Sequence, residues 1–344
     1  MNKKTELMCY LAVTFGITYV IQYVGLLKGG VLSGGVQVGM TPELQTALGF
    51  VMFIPALVAI TMNRFITRRD TYKGKAVWFT NYYFLIAAEF LIAFISVTIL
   101  QLHNTYPNTL MVFGVATSIT SILGTVLLLA LNSKAKWRED LVHAKLQIGG
   151  IKPYLLYGII LVAFMTLGTY LDLFAGLGVG LGLEFNALVL GVVNSLILGP
   201  VLGITTGVFG EEYGWRIYLQ DLLTELYGKP KGILLLGAIW GLWHAPVVFC
   251  GWTYPGYGVL GIFVFIVFTT VSGFYLSQAT FMSGTVWVPA YLHAIINGYA
   301  NFTLNLVMMN DSVLNFRFGI YGLAILGVIT LGLILRNRKI WEAS

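Results

Sequence analysis

The sequence predicts an all-α, polytopic transmembrane helix bundle of about ten spans with both termini in the cytoplasm. Three observations predict it. The chain is 58% hydrophobic and only 10% charged, whereas a soluble domain carries roughly 25% charged residues. Its apolar residues gather into ten runs near the length of about 20 that crosses the hydrocarbon core. Its basic residues segregate by loop, as the positive-inside bias requires.

In order, the runs cover 7–27, 44–63, 81–101, 109–131, 154–172, 187–210, 232–250, 258–279, 284–307 and 318–335. The first has no convincing small-residue cleavage site and is followed by further spans, so it reads as a membrane helix and not a signal peptide. Gly29-Gly30, Gly34-Gly35 and Gly178 to Gly182 read as flexible turns in outer loops. The sixth run is expected to continue as one helix to about residue 226, because Gly228-Lys229-Pro230 is the first clear stop.

The polar loops 64–80 and 132–153 are the longest, and both are short for domains. The second marks a seam. Residues 1–153 form an N-terminal membrane segment of about four helices without a motif, and 154–344 carry every motif, within 187–310.

With an inner N-terminus, eighteen of the twenty Lys and Arg face inward, and only Lys28 and Arg317 face outward. The net charge of +6 is therefore topological bias, not a nucleic-acid footprint. Two cysteines, Cys9 and Cys250, are too few for a disulfide framework and read as buried, inert thiols.

Ionisable groups at membrane depth are expensive and mark function by default. Three clusters qualify. Glu211-Glu212-Tyr213-Gly214-Trp215-Arg216 holds two acids and an arginine. Adjacent residues on a helix point about 100° apart, so the two acids cannot share one role. The i,i+4 spacing pairs Glu212 with Arg216 and leaves Glu211 as the reactive carboxylate. The alternative is the solvated start of an interfacial helix continuing through Asp221 and Glu225.

His244 closes Trp240-Gly241-Leu242-Trp243-His244, with Pro246 bending the span just after it. The alternative is a histidine merely packed among aromatics. His293 and Asn297 share a helix face, and Asn301 and Asn305 continue the ladder as interhelical hydrogen-bond glue. Glu89 reads as a partner-satisfied or cavity-lining acid and Asp172 as a solvated span end.

A carboxylate with a histidine can take a proton from water, and a histidine with an asparagine can hydrogen-bond an oxyanion. That combination describes amide hydrolysis. Glu211, His244 and His293 are equally a ligand set for a divalent metal such as zinc. The spacing does not choose between the two, and the helix motif His-Glu-x-x-His is missing.

Glu211-Glu212-x-x-x-Arg216, Trp240-x-x-x-His244 and His293-x-x-x-Asn297, in that order on successive apolar segments, resemble the three motifs of the CPBP intramembrane protease family. That family includes the type II CAAX prenyl proteases and bacterial relatives, some linked to bacteriocin immunity. The resemblance implies an intramembrane endopeptidase acting on a membrane-associated peptide or protein, lipidated or not, because the family name does not give the substrate. It implies that Glu211 and His244 activate water, that His293 and Asn297 form the oxyanion pocket, and that Glu212 and Arg216 support them. Trp240 replaces the usual Phe, and Ile217 replaces a frequent Gly, which would narrow the cavity mouth. A bacterial-type cell membrane is the expected location. Two other readings stay open: a non-catalytic scaffold or immunity protein, and a proton-coupled transporter.

Overall fold

The computed structural model of the protein describes residues 1–31, 40–67 and 71–342. Among the described residues it is all-α apart from one small ribbon. The helices are α1 (Lys3–Lys28), α2 (Pro42–Val51), α3 (Ile54–Thr61), α4 (Ala76–Ala93), α5 (Thr109–Ser133), α6 (Ala135–Val142), α7 (Ile151–Phe174), α8 (Phe185–Val193) and α9 (Gly199–Gly203). They continue with α10 (Gly207–Glu212), α11 (Gln220–Tyr227), α12 (Lys229–Trp243), α13 (Ala245–Phe249), α14 (Gly258–Ser283), α15 (Trp287–Leu306), α16 (Ile320–Arg336) and α17 (Arg338–Glu342). Wider π turns run on from α3 at Met62–Ile66, from α4 at Phe94–Ile99, from α8 at Asn194–Leu198 and from α10 at Tyr213–Leu219.

Two compact units divide the chain. The first holds Met1–Ile148, Leu202–Leu222 and Thr285–Trp287; the second holds Gly149–Val201, Leu223–Gly284 and Val288–Ser344. In the first, Asn2 and Thr41 cap α1 and α2 by accepting from the N–H groups of Thr5 and Leu44. Glu89 on α4 accepts from the hydroxyls of Thr117 and Thr120 at 3.0 and 2.8 Å, so this acid has the partners expected of it.

In the second unit, strands β1 (Gly178–Gly180) and β2 (Val307–Met309) pair antiparallel, Gly178 opposite Met309. The segment expected to be a flexible turn is therefore partly a strand, and the left-handed glycines flank it at Gly176 and Gly182. Asp172 is not solvated. It is fully buried, accepts from the Phe316 N–H at 2.7 Å, and pairs with Arg317 Nε at 3.0 Å. Arg317 also donates to the Val307 carbonyl at 2.9 Å, which ties α7 to β2 and the following loop.

Among the described residues, seven helices are long and apolar enough to cross a membrane: Lys3–Lys28, Pro42–Ile66, Ala76–Ile99, Thr109–Ser133, Ile151–Phe174, Phe185–Gly203 and Gly258–Ser283. The protein is thus a multi-pass membrane protein. The three other expected spans have helical counterparts of different character. α12 has only 15 residues because the helix stops at Trp243, and α16 has 17. α15 is 20 residues long but carries His293 and three asparagines.

The sixth run does not continue to residue 226. It breaks at 204–206 before α10 begins. The expected stop at Gly228 holds: its φ of +76° is a left-handed conformation suited to glycine. Gly30, also left-handed, ends α1 as a turn, whereas Gly34 and Gly35 lie outside the described residues. Cys9 is exposed and Cys250 half-buried, so neither is the fully buried thiol expected.

Candidate active site

The glutamate motif belongs to the first unit. Glycines at 207, 210 and 214 line one side of α10 and its π turn, and each sits where a side chain would collide. A Cβ on Gly210 would lie 2.2 Å from the Met52 carbonyl oxygen and 2.4 Å from the Tyr83 hydroxyl. One on Gly214 would lie 2.3 Å from Pro55 Cβ. These glycines let the backbone carrying the acids press against residues 52–55, the approach that small residues allow between apolar helices. An aromatic cluster fixes the other side. Phe209 packs on Phe79, Tyr83, Tyr213 and Trp287 with ring centres 4.9 to 5.2 Å apart. Trp287 is itself anchored by its indole N–H to the Leu146 carbonyl at 2.8 Å.

Held this way, Glu211 and Glu212 are 3% and 0% exposed, which removes the reading of a solvated interfacial helix. Glu212 and Arg216 form the expected i,i+4 ion pair at 3.4 Å, both side chains fully buried. Such a pair fixes geometry more than it stabilises, since desolvating both ions offsets their attraction. The motif's Tyr213 shares a 2.8 Å hydrogen bond with Tyr72, whose phenol burial pushes up to about 12, so it stays protonated at any working pH. π turns of the kind at Tyr213–Leu219 recur at functional sites because they re-aim side chains.

Both histidine motifs belong to the second unit. Gly237 and Gly241 let α12 touch α14: a Cβ would lie 2.4 Å from Thr270 Cα and 2.6 Å from Thr269 Oγ1. Thr269 Oγ1 seals this seam by donating to the Gly237 carbonyl at 2.9 Å. The helix then stops, and does not merely bend. His244 is its C-cap, with φ −90° and ψ −3°, in the sparsely allowed region where active-site residues are often found. Pro246 opens α13, in a first turn where its missing N–H is no loss.

His244 is half-buried among aromatic rings. Trp243 and Phe265 lie 4.6 and 4.8 Å away between ring centres, and Trp252 stacks nearly parallel at 6.2 Å. Its Nδ1 sits 3.0 Å from the Trp240 carbonyl oxygen. A carbonyl only accepts, so Nδ1 carries a proton, and whenever the ring is neutral Nε2 holds the lone pair.

His293 is buried on α15, with the Trp240 indole edge-on at 5.5 Å between ring centres. The same indole is 6.2 Å from His244, so Trp240 connects the two histidine motifs. Asn297 stands one turn beyond His293 and is exposed. Asn301 and Asn305 are not interhelical glue. They are exposed, and their amides donate back to the carbonyls of Asn297 and Asn301 in their own helix.

Among the described residues, no group of three or more His, Cys, Asp or Glu side chains is gathered that could hold a metal ion. Sequence reasoning passed over Trp252, Phe265 and Thr269. It also passed over the glycines at 207, 210, 214, 237 and 241, although their spacing of three and four residues is a readable packing signal.

Residues 185–299 match the family described as "Type II CAAX prenyl endopeptidase Rce1-like". The matched segment contains all three motifs, so the resemblance drawn from them is borne out there. A 44-residue stretch is 43% identical to "CAAX prenyl protease 2" of Methanococcus maripaludis. That stretch covers 13% of this chain and 16% of the archaeal protein. No solved structure matches. The family is named for a CAAX-type endopeptidase, and the chain matches it over residues 185–299.

Proposed function

We propose that the chain is an intramembrane endopeptidase that hydrolyses a peptide bond in a membrane-associated, lipidated peptide or protein. In this reading the region 154–344, with Glu211, His244, His293 and Asn297, performs the chemistry. The segment 1–153 supplies the backbone against which Gly210 and Gly214 seat the glutamate helix.

One observation carries the reading. The Trp240 carbonyl holds Nδ1 of His244, which sets the tautomer of the neutral ring with its lone pair on Nε2. A neutral imidazole held this way turns Nε2 into an acceptor for a water O–H. Glu211 takes a proton from water and the resulting hydroxide attacks the scissile carbonyl carbon, with Nε2 of His244 holding the water by accepting its second O–H. The oxyanion is met by the ring N–H of His293 and the side-chain N–H of Asn297. Glu211 then passes its proton to the departing amine as the C–N bond breaks. Glu212 and Arg216 act as positioning residues that hold the Glu211 backbone.

The test is cleavage of a prenylated C-terminal peptide by purified protein. Glu211→Ala and His244→Ala should each lower kcat by about 10²-fold or more while the chain still inserts and folds. Wild-type rates in both variants would overturn the assignment.

A further inference from the structure

Within the second unit, α7 and α16 leave a groove of about 510 Å³ between them. Its walls are apolar, with Ile160, Leu167 and Leu171 on α7 facing Ile325, Ile329 and Leu333 on α16. Eleven residues separate Ile160 from Leu171, and eleven separate Ile325 from Arg336, so the groove is roughly 16 Å long at 1.5 Å per residue. That is about the depth of one leaflet, half of a ~30 Å hydrocarbon core.

Exposed apolar side chains flank the groove: Ile159 and Leu167 on α7, and Val328, Leu331 and Leu335 on α16. Phe316 closes one end, held by its N–H on Asp172. At the other end stands Arg336, exposed, its guanidinium without a hydrogen-bond or ion-pair partner among the described residues. Arg338 and Lys339 follow it at the start of α17. Gly332 lines the groove in mid-helix, where glycine costs about 0.5–1 kcal/mol relative to Ala. A Cβ there would meet nothing within 4 Å, so no packing constraint requires the glycine, and a side chain added there would fill groove space.

We infer that this groove is a binding site for one anionic glycerophospholipid, with one acyl chain lying along α7 and α16 and the phosphate on Arg336. A slot one leaflet deep and apolar to its end matches a single acyl chain. A cation at its mouth, with two more beside it, complements an anionic headgroup in the way basic pockets between membrane helices do. The inference is independent of the proposed protease chemistry, because none of these residues belongs to it.

The full-length protein, reconstituted in nanodiscs of equal phosphatidylglycerol and phosphatidylcholine and then extracted gently, would be weighed by native mass spectrometry. Wild type should retain one phospholipid, with phosphatidylglycerol at least tenfold over phosphatidylcholine. Gly332→Phe, which fills the groove from α16, should lose it. Ala163→Phe, which fills it from α7, should do the same and keeps the test valid if one variant folds poorly. Arg336→Gln should retain a lipid with no headgroup preference. Equal retention by wild type and both filled variants would overturn the inference, as would a wild type that does not distinguish the two headgroups or that holds only a neutral isoprenoid.

Discussion

The indole of Trp240 meets the imidazole of His293 edge-on, with 5.5 Å between ring centres. Because the same residue's carbonyl holds Nδ1 of His244, one residue orients both histidine motifs. Trp240→Phe keeps the carbonyl and an aromatic ring, so kcat should stay within a few-fold of wild type. Trp240→Ala keeps the carbonyl but removes the ring, and should cost about 3 kcal/mol of stability and about tenfold in kcat. A steady-state comparison of the two variants checks this, and equal activities would contradict the packing role.

The buried pair of Glu212 and Arg216 has a distinctive energetic signature. Arg216→Ala leaves a buried carboxylate uncompensated and should destabilise by about 3–5 kcal/mol. Replacing both partners, as in Glu212→Gln with Arg216→Met, should cost much less than that single change. Thermal unfolding in detergent distinguishes them, and an equal or larger loss in the double variant would argue against the pair.

The close seat of the glutamate helix is testable through its glycines. Gly210→Ala would force Cβ against the Met52 carbonyl, and should cost about 1–3 kcal/mol and most of the activity. Gly16→Ala on α1 meets nothing within 4 Å and should be neutral or stabilise by about 0.5–1 kcal/mol. Matched melting curves for the two variants would show whether close approach, and not glycine content, is what matters.

In the second unit, Asp311 is held below the usual carboxylate range by the Tyr257 hydroxyl it accepts from, and by the N–H groups of Leu314 and Val313. A depressed folded value means that its contribution is present above the unfolded value of about 3.9 and is lost as pH falls through the folded one. Hydrogen exchange in residues 310–319, corrected for intrinsic rates, should be flat from about pH 5 to 8 and rise in more acidic solution. Asp311→Asn should remove that step, and a step unchanged in the variant would place its origin elsewhere.

A second pH dependence concerns the chemistry. Nε2 of His244 must be unprotonated to hold the attacking water, so kcat should fall on the acid side as the imidazole protonates. A profile flat from about pH 5 to 8 would contradict the role, since an unperturbed imidazole titrates near 6.5.

Much of this was legible in local spacing. The i,i+4 relation of Glu212 and Arg216 and the shared helix of His293 and Asn297 follow from helical periodicity alone. The burial of Asp172 was not legible, because its partner Arg317 lies 145 residues away and local spacing carries no sign of that pairing. The break at 204–206 contains no proline, and the end of α12 at Trp243 precedes its proline by three residues, so both spans looked continuous. Asn301 and Asn305 misled for a related reason: an asparagine in an apolar helix can satisfy itself on its own backbone as readily as on a neighbour.

The proposed chemistry requires Glu211 and His244 to act on one water molecule. The most direct measurement is kcat for Glu211→Ala, His244→Ala and the double variant on a single prenylated peptide. Groups that work as a unit are strongly non-additive, so the double variant should be no slower than the slower single one. Losses that multiply in the double variant would contradict the claim, because they would mean that the two side chains act independently.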